Sequence, residues 1–307
     1  MCLEPVDRVE MITTASFASN YVRVGRPLVI GGAAEMGPLL NAWTLDNLVA
    51  RHPSHRVNVA HYPTGDKGVT PCYLDMELGQ YIKLLRDLPE ERSRYFLTDR
   101  SVTEAFPNAA ADLKAPSVLS GFEMSRVSAF VGIDTFTETH YHTAPIEAML
   151  TQLHGRKQVV LYGPECFAAL KPYPWYSMKF NYSRIPRSSW AAAGGIPDAM
   201  GNVCTLEPGE MLFIPQGWFH AVTGFSENVS ITYFFKGQYR SARLPVLVRD
   251  WASMLHKQLV VMPLMSLARD PHGARLLLRI GVLLGIIPKS ELGVWQGRLG
   301  IGDGARR

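Results

Sequence analysis

The chain has 307 residues with 31 basic and 27 acidic side chains, so its formal net charge is only +4. Hydrophobic residues make up 47% and charged residues 19%, a balance that is typical of a globular protein and excludes disorder as the main state. Because the charge is weak for this length and no dense run of Lys and Arg occurs, no nucleic-acid partner is expected.

The cysteines and the apolar runs indicate the compartment. The four cysteines, Cys2, Cys72, Cys166 and Cys204, are scattered and form no CxxC pair, which favours a reducing cytosol and predicts a cytoplasmic protein. The N-terminus lacks the apolar run of a secretory signal. The longest apolar run, 276–287, is shorter than the roughly 20 residues that cross a bilayer, so no membrane association is expected.

The first 100 residues alternate between short strand and helix patterns. Thr44 has the character of a helix N-cap, since Leu45, Leu48 and Val49 follow it with helical spacing. The predicted elements are a buried strand over 26–32, a helix after Thr44, a strand over 57–62, a helix over 76–88 and a strand at 95–97.

Residues 125–236 change to regularly spaced short strands, a pattern typical of a barrel or sandwich. The predicted strands are 127–131, 136–142, 158–162, 203–206, 211–215 and 229–235. The stretch 171–202 has no clear period and is interpreted as a long insertion, a type of loop that often covers a site.

After residue 240 the pattern is helical, with segments at 244–259, 274–287 and 291–299. The sequence therefore predicts two parts. Residues 1–240 form a β domain with N-terminal additions, and residues 241–307 form a C-terminal helical segment.

The histidines carry the clearest chemical pattern. On a strand over 136–142, Glu138, His140 and His142 would share one face, and neutral imidazoles are good ligands for iron, copper and zinc. His220 follows a turn and a buried strand far along the chain. Two ligands two residues apart and a distant third have the form of the non-haem iron triad. The alternative for each histidine alone is a structural hydrogen-bonding role.

These residues resemble the JmjC and cupin-like family of 2-oxoglutarate-dependent oxygenases. The resemblance runs from about residue 24 to 236 and includes the strand at 26–32, the helix start at 43–45, the segment 152–157 and the stretch 208–220. It implies an all-β core with flanking helices, a double-stranded β-helix of the cupin or jelly-roll type, followed by the C-terminal helices. In several relatives such helices form a dimer interface, so the resemblance also implies a homodimer through this segment.

The family's iron ligands are His-x-Asp and a distal His, and the acidic ligand is missing here. In the register that we favour, His140 is the first ligand and His142 replaces the Asp. In the other register His142 is the first ligand and Ala144 occupies the acidic position, as in family halogenases. Glu138 is a further possible source of a carboxylate. Both registers predict a metal site that includes His142 and His220.

The resemblance assigns the co-substrate residues as well. Lys157 corresponds to the lysine that binds the distal carboxylate of 2-oxoglutarate, with a solvated strand lysine as the alternative. The threonine that would donate a hydroxyl is Thr137 in the first register and Thr139 in the second. Tyr62 and Tyr233 are expected to help line the pocket.

The functional expectation is an Fe(II)- and 2-oxoglutarate-dependent oxygenase that acts on a C–H bond of a small amino-acid-derived or peptide substrate. Hydroxylation is the default outcome, and the altered ligand set leaves halogenation or desaturation open. Three imidazoles also suit zinc or copper in place of iron. The alternative is a catalytically inactive cupin-like protein that binds a metal or ligand, or serves as a dimeric scaffold.

Overall fold

The structure is a computed structural model. It describes residues 3–63, 65, 71–106, 113–177, 179–185, 201–237, 244–262, 271–285 and 287–298.

Eleven strands in the described residues join in one hydrogen-bonded system, whose main path runs β2-β3-β10-β8-β11-β7-β6-β4-β5, with β9 pairing to β8 and β1. The strands are β1 Leu3–Pro5, β2 Arg8–Val9, β3 Leu28–Gly31, β4 Arg56–His61, β5 Cys72–Glu77, β6 Tyr95–Ser101, β7 Met124–Ile133, β8 Ile146–Tyr162, β9 Gly201–Leu206, β10 Glu210–Ile214 and β11 Phe219–Lys236. Among the strand pairs of the described residues, only β1–β9 and β2–β3 are parallel.

The two longest strands, β8 and β11, create the roll. The first part of β8 pairs with β10 through residues 148–151, whereas its last part pairs with β9 through residues 157–162. β11 follows β8 along both parts, with a register shift between Phe225 and Val229. Apolar side chains such as Leu150, Val159 and Leu212 fill one core of the roll. The predicted all-β core of the cupin or jelly-roll type, with flanking helices, is confirmed.

Helices form where the sequence predicts them after Thr44, at 76–88 and in the C-terminal segment, whereas three further helices, at 14–17, 33–42 and 102–105, were not predicted. The helices are α1 Thr14–Phe17, α2 Ala33–Ala42, α3 Leu45–Arg51, α4 Leu78–Asp87, α5 Val102–Ala105, α6 Leu244–His256, α7 Pro271–Leu283 and α8 Leu292–Arg298. Thr44 caps α3 by accepting a hydrogen bond from the amide of Asn47, as predicted. A capping box of Glu77 and Gln80 starts α4.

The predicted strand over 136–142 is wrong. This segment makes only isolated bridges, at Phe136 and His140. The physical reason is that its backbone bonds are divided between two partners. The amides of Thr137 and His140 donate to β11, whereas the amide of Tyr141 donates to the carbonyl of Asn181 in the insertion.

The first C-terminal helix, α6, packs on the roll. Val246 of α6 lies in a buried cluster with Tyr141 and Phe219. A π-helical turn, Lys257–Val261, continues α6. The proposed boundary at 240/241 falls outside the described residues, as does most of the second half of the insertion, so the two-part division stays a prediction. Within the described part of the chain, no helix is long and apolar enough to span a membrane.

Candidate metal centre

Three histidines from two distant stretches converge. His140 and His220 lie opposite each other in an antiparallel bridge, with N···O distances of 3.1 and 2.8 Å in the two directions. His142 reaches the same place, and its ring centroid lies 4.6 Å from that of His220 and 5.7 Å from that of His140. One nitrogen from each of the three rings lies within 4.8 Å of the others. Among the described residues, this is the group with the spacing to hold a metal ion.

Backbone carbonyls orient two of the three rings. His140 Nδ1 lies 2.9 Å from the carbonyl of Glu138, and His220 Nδ1 lies 3.0 Å from the carbonyl of Trp218. A carbonyl only accepts, so each Nδ1 carries the proton and each Nε2 carries the lone pair that a metal needs. His142 differs, because its buried Nδ1 has no hydrogen-bond partner among the described residues. A buried nitrogen without a partner is costly unless something else binds the ring.

The electrostatics keep two of the three rings, those of His142 and His220, neutral. Burial, followed by the neighbouring His140 and Arg126, lowers the pKa of His142 to about 3. Burial, followed by His140 and His142, lowers the pKa of His220 well below its usual range. A metal binds the neutral form of imidazole. His142 and His220 are therefore ready to act as ligands at neutral pH without first losing a proton. The donor set therefore fits a divalent transition metal.

A cavity of about 510 Å³, part of it open to solvent, contains the three histidines. Its lining is mostly apolar and aromatic and includes no carboxylate among the described residues. The lining residues are Phe96, Phe130, Thr135, Phe136, Thr137, His140, His142, Leu150, Lys157, Ile214, His220, Val222, Thr232 and Phe234. Glu138, which the strand pattern placed on the same face as the histidines, is not part of this lining.

Within the described part of the chain, Lys157 is the one lysine in this lining. Its side chain is buried, its Nζ donates to the hydroxyl of Ser230, and the Phe130 ring centroid lies 5.7 Å away. Burial lowers the pKa of Lys157 to about 7. The alternative of a solvated lysine is therefore wrong, and the cavity combines a buried amine with three imidazoles.

The two predicted threonines differ in position. Thr137 lines the cavity, and its Oγ1 accepts a hydrogen bond of 3.2 Å from the amide of Val222. Thr139 is buried outside the lining, and its hydroxyl has no hydrogen-bond partner among the described residues. Thr135 and Thr232 line the cavity and were missed by the sequence reasoning. Thr135, Phe136 and Thr137 line the cavity in succession, so strand alternation gave no signal for Thr135.

Two expected pocket residues lie elsewhere. Tyr233 is not in the lining, because its neighbours Thr232 and Phe234 carry the cavity face of β11 and alternation directs Tyr233 to the opposite face. Its hydroxyl donates to the carbonyl of Lys114. Tyr62 is also outside the lining, and burial, together with Tyr182, Tyr73 and Glu138, raises its pKa.

Ala144 also faces away from the cavity. It is buried, it is not part of the lining, and its amide donates a 2.9 Å hydrogen bond to Asp250 of α6. Asp250 was missed by the sequence reasoning. Its signal was weak, because a single acidic residue within an amphipathic helix is normally a solvated one.

Comparisons with known proteins extend this picture. A family model described as a cupin-like domain matches residues 14–241. Over 258 residues the chain is 26% identical to human tRNA wybutosine-synthesizing protein 5, covering 76% of this chain and 78% of the relative. Over 135 residues it is 28% identical to lysine-specific demethylase JMJ31 of Arabidopsis thaliana, covering 42% of this chain and 24% of the relative. Over 239 residues it is 23% identical to lysine-specific demethylase 8 of Xenopus tropicalis, covering 71% and 50%.

The chain thus spans most of one relative and a half or less of the other two. Because one of these names refers to tRNA, the relatives give no support to the expectation that nucleic acid is excluded. The family match covers most of the chain and includes both histidine-bearing stretches and Lys157. The chain belongs to the cupin-like domain family, and its relatives include JmjC-type demethylases and wybutosine-synthesizing proteins.

Proposed function

We propose that this protein is an Fe(II)- and 2-oxoglutarate-dependent oxygenase that acts on a C–H bond. The observation that carries the proposal is one cavity that combines the nitrogens of His140, His142 and His220, within 4.8 Å of one another, with the buried amine of Lys157. A metal and a carboxylate-bearing co-substrate would use these two features together. Family membership supports the same reading.

Each residue has a separate task. The three imidazoles would hold the metal, and Lys157 would bind the distal carboxylate of 2-oxoglutarate through a charge-assisted hydrogen bond. Thr137 lines the cavity, and its hydroxyl proton is available to the same carboxylate while its oxygen accepts from the amide of Val222. The apolar lining, including Phe130 and Phe234, would exclude water from the reacting atoms.

Bound iron would supply activation of O2 coupled to oxidation of the keto acid. For hydroxylation the balance is R–H, O2 and 2-oxoglutarate giving R–OH, succinate and CO2. One oxygen atom enters the substrate and the other enters succinate. We propose a small amino-acid-derived or peptide substrate. The relatives named for lysine demethylation and for wybutosine synthesis make a protein side chain and a tRNA nucleotide the next classes to test.

We place His142 at the acidic position of the family motif. The support is that the His142 ring belongs to the cluster, whereas Ala144 directs its amide to Asp250 and does not line the cavity. This arrangement removes one negative charge from the ligand set. It also makes zinc or copper alternative occupants, since both accept three imidazoles. The cavity gives the halogenase-like reading, with an open position at Ala144, no support.

Anaerobic titration with Fe(II) and 2-oxoglutarate tests the proposal. The visible metal-to-ligand charge-transfer band should appear for the natural protein and weaken strongly for Lys157→Ala. Lys83→Ala is the matched control, because the Lys83 side chain is 78% exposed on α4, and it should leave the band unchanged. Metal analysis of the purified protein separates iron from zinc and copper. A band that survives Lys157→Ala undiminished would contradict the co-substrate assignment.

Restoring the carboxylate tests the register. His142→Asp should strengthen Fe(II) binding, because the new carboxylate would lie among the ligand nitrogens. Ala144→Asp should not, because its side chain would lie outside the cavity lining and close to Asp250. Isothermal titration with Fe(II) under argon measures both. If Ala144→Asp strengthens Fe(II) binding and His142→Asp does not, the acidic position of the family motif is residue 144.

A second candidate function is a cupin-like protein that binds a metal or ligand without catalysis. The observation that favours it is a cavity lining without a carboxylate among the described residues. Under this function zinc binds but the charge-transfer band with Fe(II) and 2-oxoglutarate does not form.

A further inference from the structure

The placement of the His142 ring needs an explanation. His140 and His220 are each oriented by a hydrogen bond from Nδ1 to a carbonyl two residues earlier in the chain. The Nδ1 of His142 has no such bond among the described residues. The direction of this ring is therefore set by the backbone that carries it and by packing, for example against Phe234 at a centroid distance of 5.2 Å.

One carboxylate binds the chain on both sides of His142, at a side-chain hydroxyl before it and at a backbone amide after it. Asp250 Oδ1 accepts a 2.9 Å hydrogen bond from the hydroxyl of Tyr141, the residue before His142. Asp250 Oδ2 accepts a 2.9 Å hydrogen bond from the amide of Ala144, two residues after it. A carboxylate is suited to this task because its two oxygens can bind two separate donors at once.

The surroundings of Asp250 make the contact rigid. Asp250 is completely buried on α6, and the fully buried Tyr141 ring packs edge-on against Phe219 at a centroid distance of 4.8 Å. Phe219 immediately precedes His220, so the same contact reaches the second histidine-bearing stretch. On the other side, the amide of Gly217 donates a 2.9 Å hydrogen bond to the carbonyl of His142.

The charge of this buried carboxylate is only partly compensated. Burial raises the pKa of Asp250 to about 6, while the bonds from Ala144 and Tyr141 and the charges of Arg249 and Lys257 oppose the rise. Removing either the carboxylate or one of its two hydrogen-bond donors would leave a buried polar group unpaired, which is costly. Asp250 also lies beyond residue 241, where the cupin-like match ends.

We propose that Asp250 is a positioning residue of the metal centre, which fixes the backbone on both sides of His142 and so directs its ring to the ion. This inference rests on the proposed function. It implies that the C-terminal helix α6 completes the site, and that the matched domain alone does not fix the third ligand.

Cobalt(II) binding to the full-length protein, followed by visible absorption, tests the proposal. Asp250→Ala should weaken Co(II) binding by about 10-fold or more, the usual effect of losing a group that orients a ligand. Tyr141→Phe removes one of the two bonds and keeps the ring, so the expected loss is about three- to tenfold. Ser177→Ala is the control, because it removes a buried hydrogen bond to Glu291 between the insertion and the C-terminal segment without contacting the histidines. Its Co(II) affinity should not change.

A double-mutant cycle separates positioning from general destabilisation. In a His142→Ala background, Asp250→Ala should change the remaining Co(II) affinity by less than about twofold, because the ring that it directs is gone. An equal loss in both backgrounds overturns the proposal, as does an unchanged affinity of Asp250→Ala in the natural background. If Asp250→Ala does not fold, Tyr141→Phe is compared in the same two backgrounds. Failure of the natural protein to bind Co(II) instead overturns the proposed function.

Discussion

When Lys157 is protonated, its positive charge is buried and is poorly stabilised by water. Its Nζ donates to Ser230 and lies near the Phe130 ring, and burial lowers the pKa of Lys157 to about 7. An amine with this pKa is only partly protonated at neutral pH. A bound carboxylate would favour the protonated form and raise the pKa again. Binding of a dicarboxylate should therefore be coupled to uptake of a proton by Lys157.

This coupling predicts a pH dependence for the affinity of 2-oxoglutarate. Only protonated Lys157 forms the charge-assisted bond, so the affinity should be constant below about pH 7 and should fall as the pH rises above it. Equilibrium titration of the metal-loaded protein between pH 6 and pH 9 measures the effect, at about tenfold per pH unit at most.

Lys157→Arg is the matched control, because a guanidinium stays charged throughout this range. In that variant the fall in 2-oxoglutarate affinity above pH 7 should disappear, whether the variant binds more tightly or more weakly than the natural protein. The same fall in Lys157→Arg would assign the pH dependence to another group.

At the scale of elements, β8 depends on a single glycine where it passes from one pairing to the next. Gly155 has φ +69°, and a Cβ at this position would lie 1.9 Å from the carbonyl oxygen of Glu227. It also lies between Thr151, the last residue of β8 that pairs with β10, and Lys157, the first that pairs with β9. Gly155 therefore lies in the part of β8 where one partner strand replaces the other.

Gly155→Ala should destabilise the protein by more than about 2 kcal/mol, since it combines a left-handed conformation with a backbone clash. Gly121→Ala is the control. Gly121 has φ +83° but no atom within 4 Å of the added Cβ, so only the conformational cost of about 1–2 kcal/mol applies. Urea unfolding of both variants measures the difference. Equal losses would show that the approach of Glu227 to Gly155 has no energetic consequence.

The sequence predicted elements well where one local pattern decides them. The strand expected at 57–62 is β4 over Arg56–His61, and the helix expected at 76–88 is α4 over Leu78–Asp87. The segment 136–142 alternates like a strand but divides its backbone bonds between β11 and the insertion. No local sequence pattern indicates that division, because it depends on which distant segment of the chain lies beside each amide.

The same holds for the site: the sequence predicts what neighbouring residues decide, but not what contacts between distant residues decide. The spacing of His140 and His142 and the motif around His220 left a structural role open, and the resemblance to the family added the prediction of a common site; the three rings do cluster. Asp250 was not predicted, because its partners are about 106 to 109 residues away and its own helix gives it no distinctive neighbours. Tyr233 was wrongly expected in the pocket because the register of β11 was not known.

At the scale of the whole molecule, α6 and the turn after it present two different faces. The inner face carries Val246 and Asp250 toward the metal centre. The outer face carries an apolar stripe whose members are three or four residues apart and from 49% to 70% exposed. The stripe consists of Leu244, Val248, Trp251, Leu255, Leu259 and Met262. Such a stripe is typical of a helix that packs against another helix.

We propose that a second copy of this chain covers the stripe, as the resemblance to the family implies. Val248→Glu and Leu255→Glu should each convert a dimer to a monomer, because each would place a charge in an apolar interface. Light scattering after size-exclusion chromatography measures the mass. Lys83→Glu, on an exposed face of α4, should leave the dimer intact. A monomeric natural protein at micromolar concentration would contradict the proposal.

We propose that His140, His142 and His220 bind one metal ion together. X-ray absorption at the zinc edge of the zinc-loaded protein tests it most directly, because it counts imidazole ligands and measures their distances. We expect three imidazole nitrogens at about 2.0–2.1 Å, and two in His142→Ala and in His220→Ala. Fewer than three histidines around the zinc of the natural protein, or no loss in either variant, would contradict it.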